Sequence, residues 1–228
     1  MAVSRRDFIK TGVGSACTLA VGSTALAAQT AQSAPVQANA QVADRMPEIP
    51  ADKMTPEQKK AADEFLAGRG TPVFGPFVPL LRSPEVMLRA KAMGDYLRYK
   101  SVLPPALNEF AILITARHWG QGYEWATHHP IAMKAGLKPE IAQALAEGRR
   151  PQGMSADEEM IYEFSIELHQ NQCVSDVTYA RVLARFNEQG IIDLIGVNGY
   201  YTFLAMLLNA TRTALPKGAT PPLSLFPH

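Results

Sequence analysis

Apolar residues recur at helical spacing along most of the chain, and no segment alternates with the period of two that is typical of a half-buried strand. Seven segments carry helix-start signals, and an eighth segment is apolar nearly all round. The predicted starts are Pro56, Pro84, Pro105, Gln121, Pro139, Ala156 and Asp176, and the last helix runs from Ile191 to about Thr211. The pattern therefore predicts an all-α helical bundle.

Capping residues mark the clearest helix starts. Residues 55–58 (Thr-Pro-Glu-Gln) and residues 155–158 (Ser-Ala-Asp-Glu) each form a capping box, in which the first side chain and the fourth satisfy each other's backbone N–H groups. Ser83 before Pro84 predicts a third start of the same kind, because proline suits the first helical position.

Residues 68–79 are too rich in Gly and Pro for a helix or a central strand. The segment also contains Val73, Phe74, Phe77 and Val78, so it is predicted to be a loop with apolar anchors. Such a loop is either a packed connection or a lid over a site, and the packed connection is the simpler interpretation.

The last predicted helix, 191–211, is long and apolar enough to suggest a membrane span. Its polar residues oppose that interpretation: Asp193, Asn198, Asn209 and the following Arg212. A central helix of the bundle or an oligomer interface accounts for the same composition, and we favour these.

Composition narrows the class of protein. The 228 residues are 47% hydrophobic and 19% charged, with 2 Cys and a formal net charge of +1. These values exclude a disordered, collagen-like or disulfide-stabilised chain. The balanced charge provides no strong field for nucleic acid or an anionic membrane, so neither is a predicted partner.

The N-terminus resembles a twin-arginine export signal. Arg5 and Arg6 are followed by Phe8, an apolar run over 11–26 and an Ala-Leu-Ala cleavage pattern ending at Ala27. We therefore predict a signal peptide at 1–27, recognition by the twin-arginine export machinery, a periplasmic or secreted location, and no membrane segment after cleavage.

Residues 28–52 contain few large apolar side chains and predict a flexible tether. One helical domain over 53–215 and a C-terminal tail over 216–228 follow. Cleavage removes Cys17 and leaves Cys173 as the single thiol, so one subunit has no internal disulfide and no two-thiol redox cycle.

The candidate chemistry lies in residues 121–129. Glu124 and His128 are four residues apart and share a helix face, which Gln121 extends. A carboxylate one turn before an imidazole orients it and favours its protonated form. If the preceding helix pairs with this one, Glu109 lies opposite and completes a proton-transfer site. The alternative is a solvated surface ion pair.

The substrate contacts predicted around this site are Gln121, Tyr123, Trp125 and His129, although Tyr123 and Trp125 equally suit core or subunit contacts. No metal site is predicted, because the adjacent His128 and His129 point about 100° apart on a helix.

Several of these residues together resemble the carboxymuconolactone decarboxylase family, which includes the alkyl hydroperoxidase D proteins. The resemblance covers most of 50–215. Its residues are Asn108 to Leu113, Tyr123-Glu124-Trp125, His128, Ala135-Gly136-Leu137 and Gly199-Tyr200-Tyr201. It implies an all-α fold, assembly into homotrimers or homohexamers, and a site near a subunit boundary.

Two branches of this family differ in their chemistry. The peroxidase-like branch has a Cys-x-x-Cys motif, whose positions fall on Gln121 and Glu124 in this chain. Neither side chain forms a thiolate, so hydroperoxide reduction is an alternative by family association only. The resemblance to the other branch implies decarboxylation of a small unsaturated lactone or carboxylic acid without a metal or organic cofactor.

In that reaction His128 would donate the proton, and Glu124 and Glu109 would set its charge or relay the proton. The export signal departs from the family's cytoplasmic role, so the natural substrate and a choice between decarboxylation and isomerisation stay open. An exported, non-catalytic oligomer that binds a small ligand is the competing hypothesis.

Overall fold

The computed structural model describes residues 43–219 and Leu223. All regular structure in these residues is helical, which confirms the all-α prediction. A 3₁₀ turn at Ala51–Lys53 precedes eight helices: α1 Pro56–Arg69, α2 Phe77–Leu80, α3 Pro84–Tyr99, α4 Pro105–His118, α5 Gly122–Ala135, α6 Pro139–Ala146, α7 Ala156–Asn171 and α8 Asp176–Thr211.

Both predicted capping boxes are present. Thr55 Oγ1 accepts from Gln58 N at 3.2 Å while Gln58 Oε1 accepts from Thr55 N at 3.0 Å. Ser155 and Glu158 pair in the same reciprocal way at the start of α7. Ser83 precedes α3 as predicted, but its side chain accepts no capping hydrogen bond, so the expected cap there is wrong.

The central helix of the bundle is α4, whose residues from Leu107 to Arg117 are all buried. It packs against α5, α7 and α8, with α6 at its side. For 191–211 the prediction is a central helix or an oligomer interface. One face of this segment is buried, but Ile192 is 66% exposed and Ile195 and Met206 are exposed too, so α8 is not the central helix.

Helix α8 breaks at Asn187, whose backbone has φ 58° and ψ −175°. Asn187 Oδ1 accepts from the backbone N–H groups of Gln189 at 2.8 Å and Gly190 at 3.4 Å, and so caps the second segment. Two helices were predicted here with a boundary at Gly190; the break lies three residues earlier, at the side chain that provides the cap.

Among the described helices, α8 is the one that is long and apolar enough to span a membrane. However, 56% of its most apolar 18-residue window is buried inside the protein. Its polar residues pair inside the bundle. Asp193 accepts from Tyr96 Oη, Ser101 Oγ and Val102 N, and Asn198 Nδ2 donates to Ser165 Oγ. These contacts suit a bundle helix; the oligomer interface stays a prediction.

The Gly- and Pro-rich segment is a packed connection, as predicted, but its end is helical. Phe77–Leu80 forms the single turn α2, so the loop prediction is wrong for 77–79. The rings of Phe65, Phe74 and Phe77 contact one another at centroid distances of 4.9 to 6.0 Å, and the Arg69 guanidinium lies over all three. This cluster ties the segment to α1.

The last ten residues of the predicted tether, 43–52, contact the helical domain. Arg45 N donates to Thr211 O at 2.8 Å, and Arg45 Nη1 donates to Ala210 O at 3.0 Å. Of the predicted tail, Leu223 is buried. The predicted signal peptide, its Cys17 and residues 28–42 lie outside the described residues, so the export prediction stays a prediction.

Candidate active site

Gln121 fixes the start of α5 and thereby the side chains that face inward. Its Oε1 accepts from Tyr123 N at 2.6 Å, as an N-cap does. One turn apart on the helix, Glu124 Oε2 lies 3.4 Å from His128 Nε2, and each of these two residues is 3% exposed. The pair is therefore buried, and the alternative of a solvated surface pair is wrong.

Glu109 on α4 approaches the same imidazole from the other side. The turn between the two helices includes Gly120 at φ 58°, a left-handed conformation that glycine adopts without a Cβ clash. Glu109 Oε2 lies 2.6 Å from His128 Nδ1. The predicted convergence of two carboxylates on one histidine is confirmed, while their catalytic roles stay a prediction.

This arrangement changes the proton affinity of His128. Burial by itself lowers the pKa, because the imidazolium loses its hydration. The hydrogen bonds and negative charges of Glu109 and Glu124 outweigh that effect and raise the pKa of His128 above its ordinary value. By contrast, burial lowers the pKa of His118 and of His129. His128 therefore keeps its proton to a higher pH than His118 or His129 does.

The cluster should make the free energy of unfolding depend on pH. Because the pKa of His128 is higher in the folded than in the unfolded chain, the stabilisation is complete below the ordinary value of 6.5 and is lost as pH rises through the folded pKa. We expect Glu109→Gln to cost the most stability below pH 6.5 and progressively less as the pH rises through the folded pKa of His128. Urea unfolding across this range measures the difference.

The matched control for this prediction is Glu85→Gln, whose carboxylate is 80% exposed on α3. It should change stability little at any pH in the range, because solvent screens exposed charges. A cost of Glu109→Gln that stays constant with pH would contradict the coupling to His128.

Two arginines lie close to the cluster and differ in their pairing. Arg69 Nε and Nη2 both donate to Asp95 Oδ1, at 3.0 and 2.5 Å. Arg98 Nη2 is 4.0 Å from Glu109 Oε1. The Nε of Arg98 is buried and has no hydrogen-bond partner among the described residues. Arg98 thus brings a positive charge near the cluster without a close ion pair.

Tyrosine rings form the opposite wall. The Tyr201 ring stands edge-on to His128 at 5.0 Å and perpendicular to Tyr200 at 5.3 Å. Burial raises the pKa of both phenols, so they stay neutral and able to donate a hydrogen bond. A Cβ at Gly94 would lie 2.4 Å from Tyr200 Oη, so this glycine leaves the space that the phenol occupies.

These side chains line a small cavity of about 40 Å³, below the usual range of small-molecule sites. Glu124 lines this cavity, and its buried Oε1 lacks a hydrogen-bond partner in the described part of the chain. The cavity is lined by Arg69, Phe74, Pro76, Phe77, Arg98, Tyr123, Glu124, Thr127, His128, Tyr200, Tyr201 and Leu204.

Of the four predicted substrate contacts, Tyr123 lines this cavity. Gln121 Nε2 instead donates to Asn209 Oδ1 at 2.8 Å, and the 1% exposed Trp125 stacks on His129 at 5.9 Å. Gln121, Trp125 and His129 do not line this cavity, so their contact with a substrate stays a prediction. Gln121 caps the helix, and the other two point away from the Glu124 face, since successive residues turn by about 100°.

Sequence reasoning missed Arg98, whereas it considered the loop that holds Phe74 and Phe77 as a packed connection or a lid over a site. Arg98 belongs to no local motif and reaches the site only because α3 packs beside α8. Tyr200 and Tyr201 were noted within the family resemblance without a role. The apolar anchors of residues 68–79 were the one local signal that pointed to Phe74 and Phe77.

Other reactive side chains lie elsewhere. Cys173 is exposed and does not line the cavity. His118 and His169 stack on each other at 4.6 Å, and His169 Nε2 lies 3.1 Å from Thr115 Oγ1. Within residues 43–219, no group of three His, Cys, Asp or Glu side chains has the geometry of a metal site.

No family model and no curated protein matches the chain. Several solved structures, however, are similar to it in fold. An alkylhydroperoxidase AhpD core protein, described as uncharacterized and peroxidase-related, from Ralstonia eutropha JMP134 is 14% identical with a TM-score of 0.61, over 76% of this chain and 92% of that one. An uncharacterized peroxidase-related protein from Silicibacter sp. TM1040 is 15% identical with a TM-score of 0.61, over 77% and 94%.

The debrominase Bmp8 is 13% identical with a TM-score of 0.57, over 75% of this chain and 92% of that one. At such identities the similarity establishes the fold alone. The chain thus has an alkyl hydroperoxidase D-like all-α fold, whose members include peroxidase-related proteins and a debrominase.

Proposed function

We propose that this chain, an alkyl hydroperoxidase D-like fold with a Glu-His-Glu cluster in its cavity, is a cofactor-independent proton-transfer lyase. Its most suitable reaction is decarboxylation of a small unsaturated lactone or carboxylic acid. The observation that carries the proposal is His128, buried between Glu109 and Glu124 at 2.6 and 3.4 Å and lining a small cavity.

The proposed reaction needs only a proton from the protein. The bond between the carboxylate carbon and the ring carbon breaks, carbon dioxide leaves, and the electron pair moves into the conjugated carbonyl. The imidazolium of His128 then donates a proton to the resulting dienolate carbon, forming a C–H bond. His128 regains its proton from solvent, so the net change is the loss of carbon dioxide and the uptake of one proton.

The two carboxylates have different parts in this proposal. Glu109 holds Nδ1–H in a short hydrogen bond and so orients the ring. Glu124 is farther away, at 3.4 Å from Nε2, and its Oε1 has no hydrogen-bond partner among the described residues. The proton at the Nε2 end is therefore the one available to a substrate, with Glu124 beside it to relay it.

The apolar part of the cavity supports the leaving-group step. Phe74, Phe77 and Leu204 line it together with the charged cluster. A carboxylate loses its hydration when it enters such a cavity, whereas neutral carbon dioxide has little hydration to lose. Burial of the carboxylate therefore lowers the barrier to loss of carbon dioxide. A variant of the debrominase Bmp8 was solved in complex with 2,3,4-tribromopyrrole, so a related fold accommodates a five-membered ring.

A thiol peroxidase reaction has less support. The similar structures include peroxidase-related proteins, but the described lining of this cavity holds no thiol, and Cys173 is exposed elsewhere. Isomerisation would use the same proton transfer without loss of carbon dioxide.

The test is carbon dioxide release by the purified full-length protein from carboxymuconolactone and a panel of unsaturated lactone and keto acids in D₂O. We expect release above a heat-inactivated control with at least one compound, and deuterium at the carbon that loses the carboxylate. Deuterium exchange without carbon dioxide would favour an isomerase. No reaction with any compound would contradict the lyase and favour the ligand-binding hypothesis.

A further inference from the structure

The two arginines of the cavity differ in their freedom to bind a ligand. Arg69 already makes two hydrogen bonds to Asp95 Oδ1, and its guanidinium lies 4.7 Å above the Phe77 ring. Its charge and its planar face are both in use. Arg69 therefore belongs to the packing of the cavity wall rather than to ligand recognition.

Arg98 has fewer partners: its guanidinium lies 5.2 Å from the centre of the exposed Tyr99 ring, and none of its nitrogens makes a close ion pair within the described residues. Its closest carboxylate oxygen is Glu109 Oε1, 4.0 Å from Nη2 and beyond hydrogen-bond distance, and its buried Nε has no hydrogen-bond partner within the described residues. Leaving a buried charged donor unpaired is costly in a folded protein. Since Arg98 lines the cavity, an acceptor that enters the cavity lies beside its positive charge.

The same carboxylate relates Arg98 to the proposed acid. Glu109 has Oε2 on His128 Nδ1 and Oε1 toward Arg98 Nη2. Glu109 thus lies between the positive charge of Arg98 and the proposed proton donor His128, and both of these side chains line the same cavity. A decarboxylation through an enolate uses this combination, because negative charge develops on oxygen as carbon dioxide leaves and is neutralised when carbon receives the proton.

We propose that Arg98 binds the substrate oxygen that becomes negative as carbon dioxide leaves, which selects planar unsaturated lactones or keto acids whose carbonyl is conjugated with the scissile bond. This proposal rests on the proposed function. A guanidinium on the departing carboxylate would stabilise the reactant more than the transition state and slow the reaction. On the carbonyl oxygen its attraction grows as charge develops.

Tetronate, the stable delocalised oxyanion of a five-membered unsaturated lactone, tests this site without turnover. Calorimetric titration of the full-length protein compares tetronate with its neutral methyl ether, 4-methoxy-2(5H)-furanone. We expect tetronate to bind about 10–100-fold more tightly, the range of a charge-assisted hydrogen bond. A wild-type protein that binds both compounds equally would overturn the proposal.

Variants assign the preference to one side chain. Arg98→Met should bring the two affinities to within about twofold, and Arg98→Lys should keep only part of the preference, because an ammonium lacks the planar fork. Arg89→Met, on the 82% exposed arginine of the same helix, is the control and should keep the full preference. If Arg98→Met kept the full wild-type preference for tetronate over the methyl ether, the proposal would be overturned. If Arg98→Met fails to fold, the same preference in Arg98→Lys would overturn it.

This binding test separates the inference from the proposed reaction. An Arg98-dependent preference for tetronate in a protein that releases no carbon dioxide would support the oxyanion site and reject the lyase. With a turned-over substrate, Arg98→Lys should lower kcat more than it changes KM, since the contact strengthens in the transition state. If Arg98→Lys released carbon dioxide with an unchanged kcat, Arg98 would not be the oxyanion contact, and the proposed lyase reaction would still stand.

Discussion

His128→Gln is expected to lower the rate of carbon dioxide release by about 10²–10⁴-fold, the usual contribution of a general acid. Glutamine retains a hydrogen-bonding group toward Glu109 but has no titratable proton to deliver. The variant should remain folded, because one polar side chain replaces another within the same helix. Initial rates of carbon dioxide release at saturating substrate measure the effect, and a circular dichroism spectrum verifies the fold.

The neighbouring residue offers a matched control. His129 follows His128 on α5, stacks on Trp125 at 5.9 Å and does not line the cavity. His129→Gln should therefore keep the rate to within about twofold, since it removes an imidazole without touching the cluster. If His128→Gln turned over substrate as fast as the wild type, or if both variants lost activity equally, His128 would not be the proton donor.

Trp125→Ala should lower the free energy of unfolding by about 3–5 kcal/mol, as large-to-small changes at buried aromatic residues do. Trp125 is 1% exposed and belongs to the hydrophobic core, so its removal leaves a cavity beside the buried α4. Chemical denaturation with urea measures the change in midpoint and, with the slope held common, the change in stability.

Two further variants make this prediction specific. Tyr99→Ala removes an aromatic ring that is 69% exposed and should cost no more than about 1 kcal/mol. Trp125→Phe keeps most of the packing and should keep KM unchanged if Trp125 is a core residue. A large rise in KM in a stable Trp125→Phe variant would instead restore the interpretation of Trp125 as a substrate contact.

The Glu124–His128 pair shows how much of the site can be predicted from residue spacing alone. Glu124 and His128 were paired correctly because four residues make about one helical turn. Adding Glu109 required only that two helices joined by a short turn pack together. The same reasoning placed Gln121 on the reactive face wrongly, since its side chain folds back onto Tyr123 N and its amide binds Asn209 on α8.

Local interactions explain why so much of the helical framework could be predicted. Capping boxes at Thr55 and Ser155, a cap at Ser175 and glycine at helix ends act within a few residues of the chain. The errors are local as well: the break in α8 follows the capping side chain of Asn187 rather than Gly190, and α2 adds one helical turn within a Pro-rich segment.

The sequence by itself determined the all-α class, most helix starts and the Glu124–His128 spacing, because these depend on neighbours along the chain. Only the tertiary structure decided that α4 rather than α8 is central, that the cluster is buried so that its carboxylates raise the pKa of His128, and that Arg98 lines the cavity with an Nε that donates no hydrogen bond within the described residues. Burial and charge pairing depend on contacts between segments that are far apart in the sequence, so a local sequence pattern does not predict them.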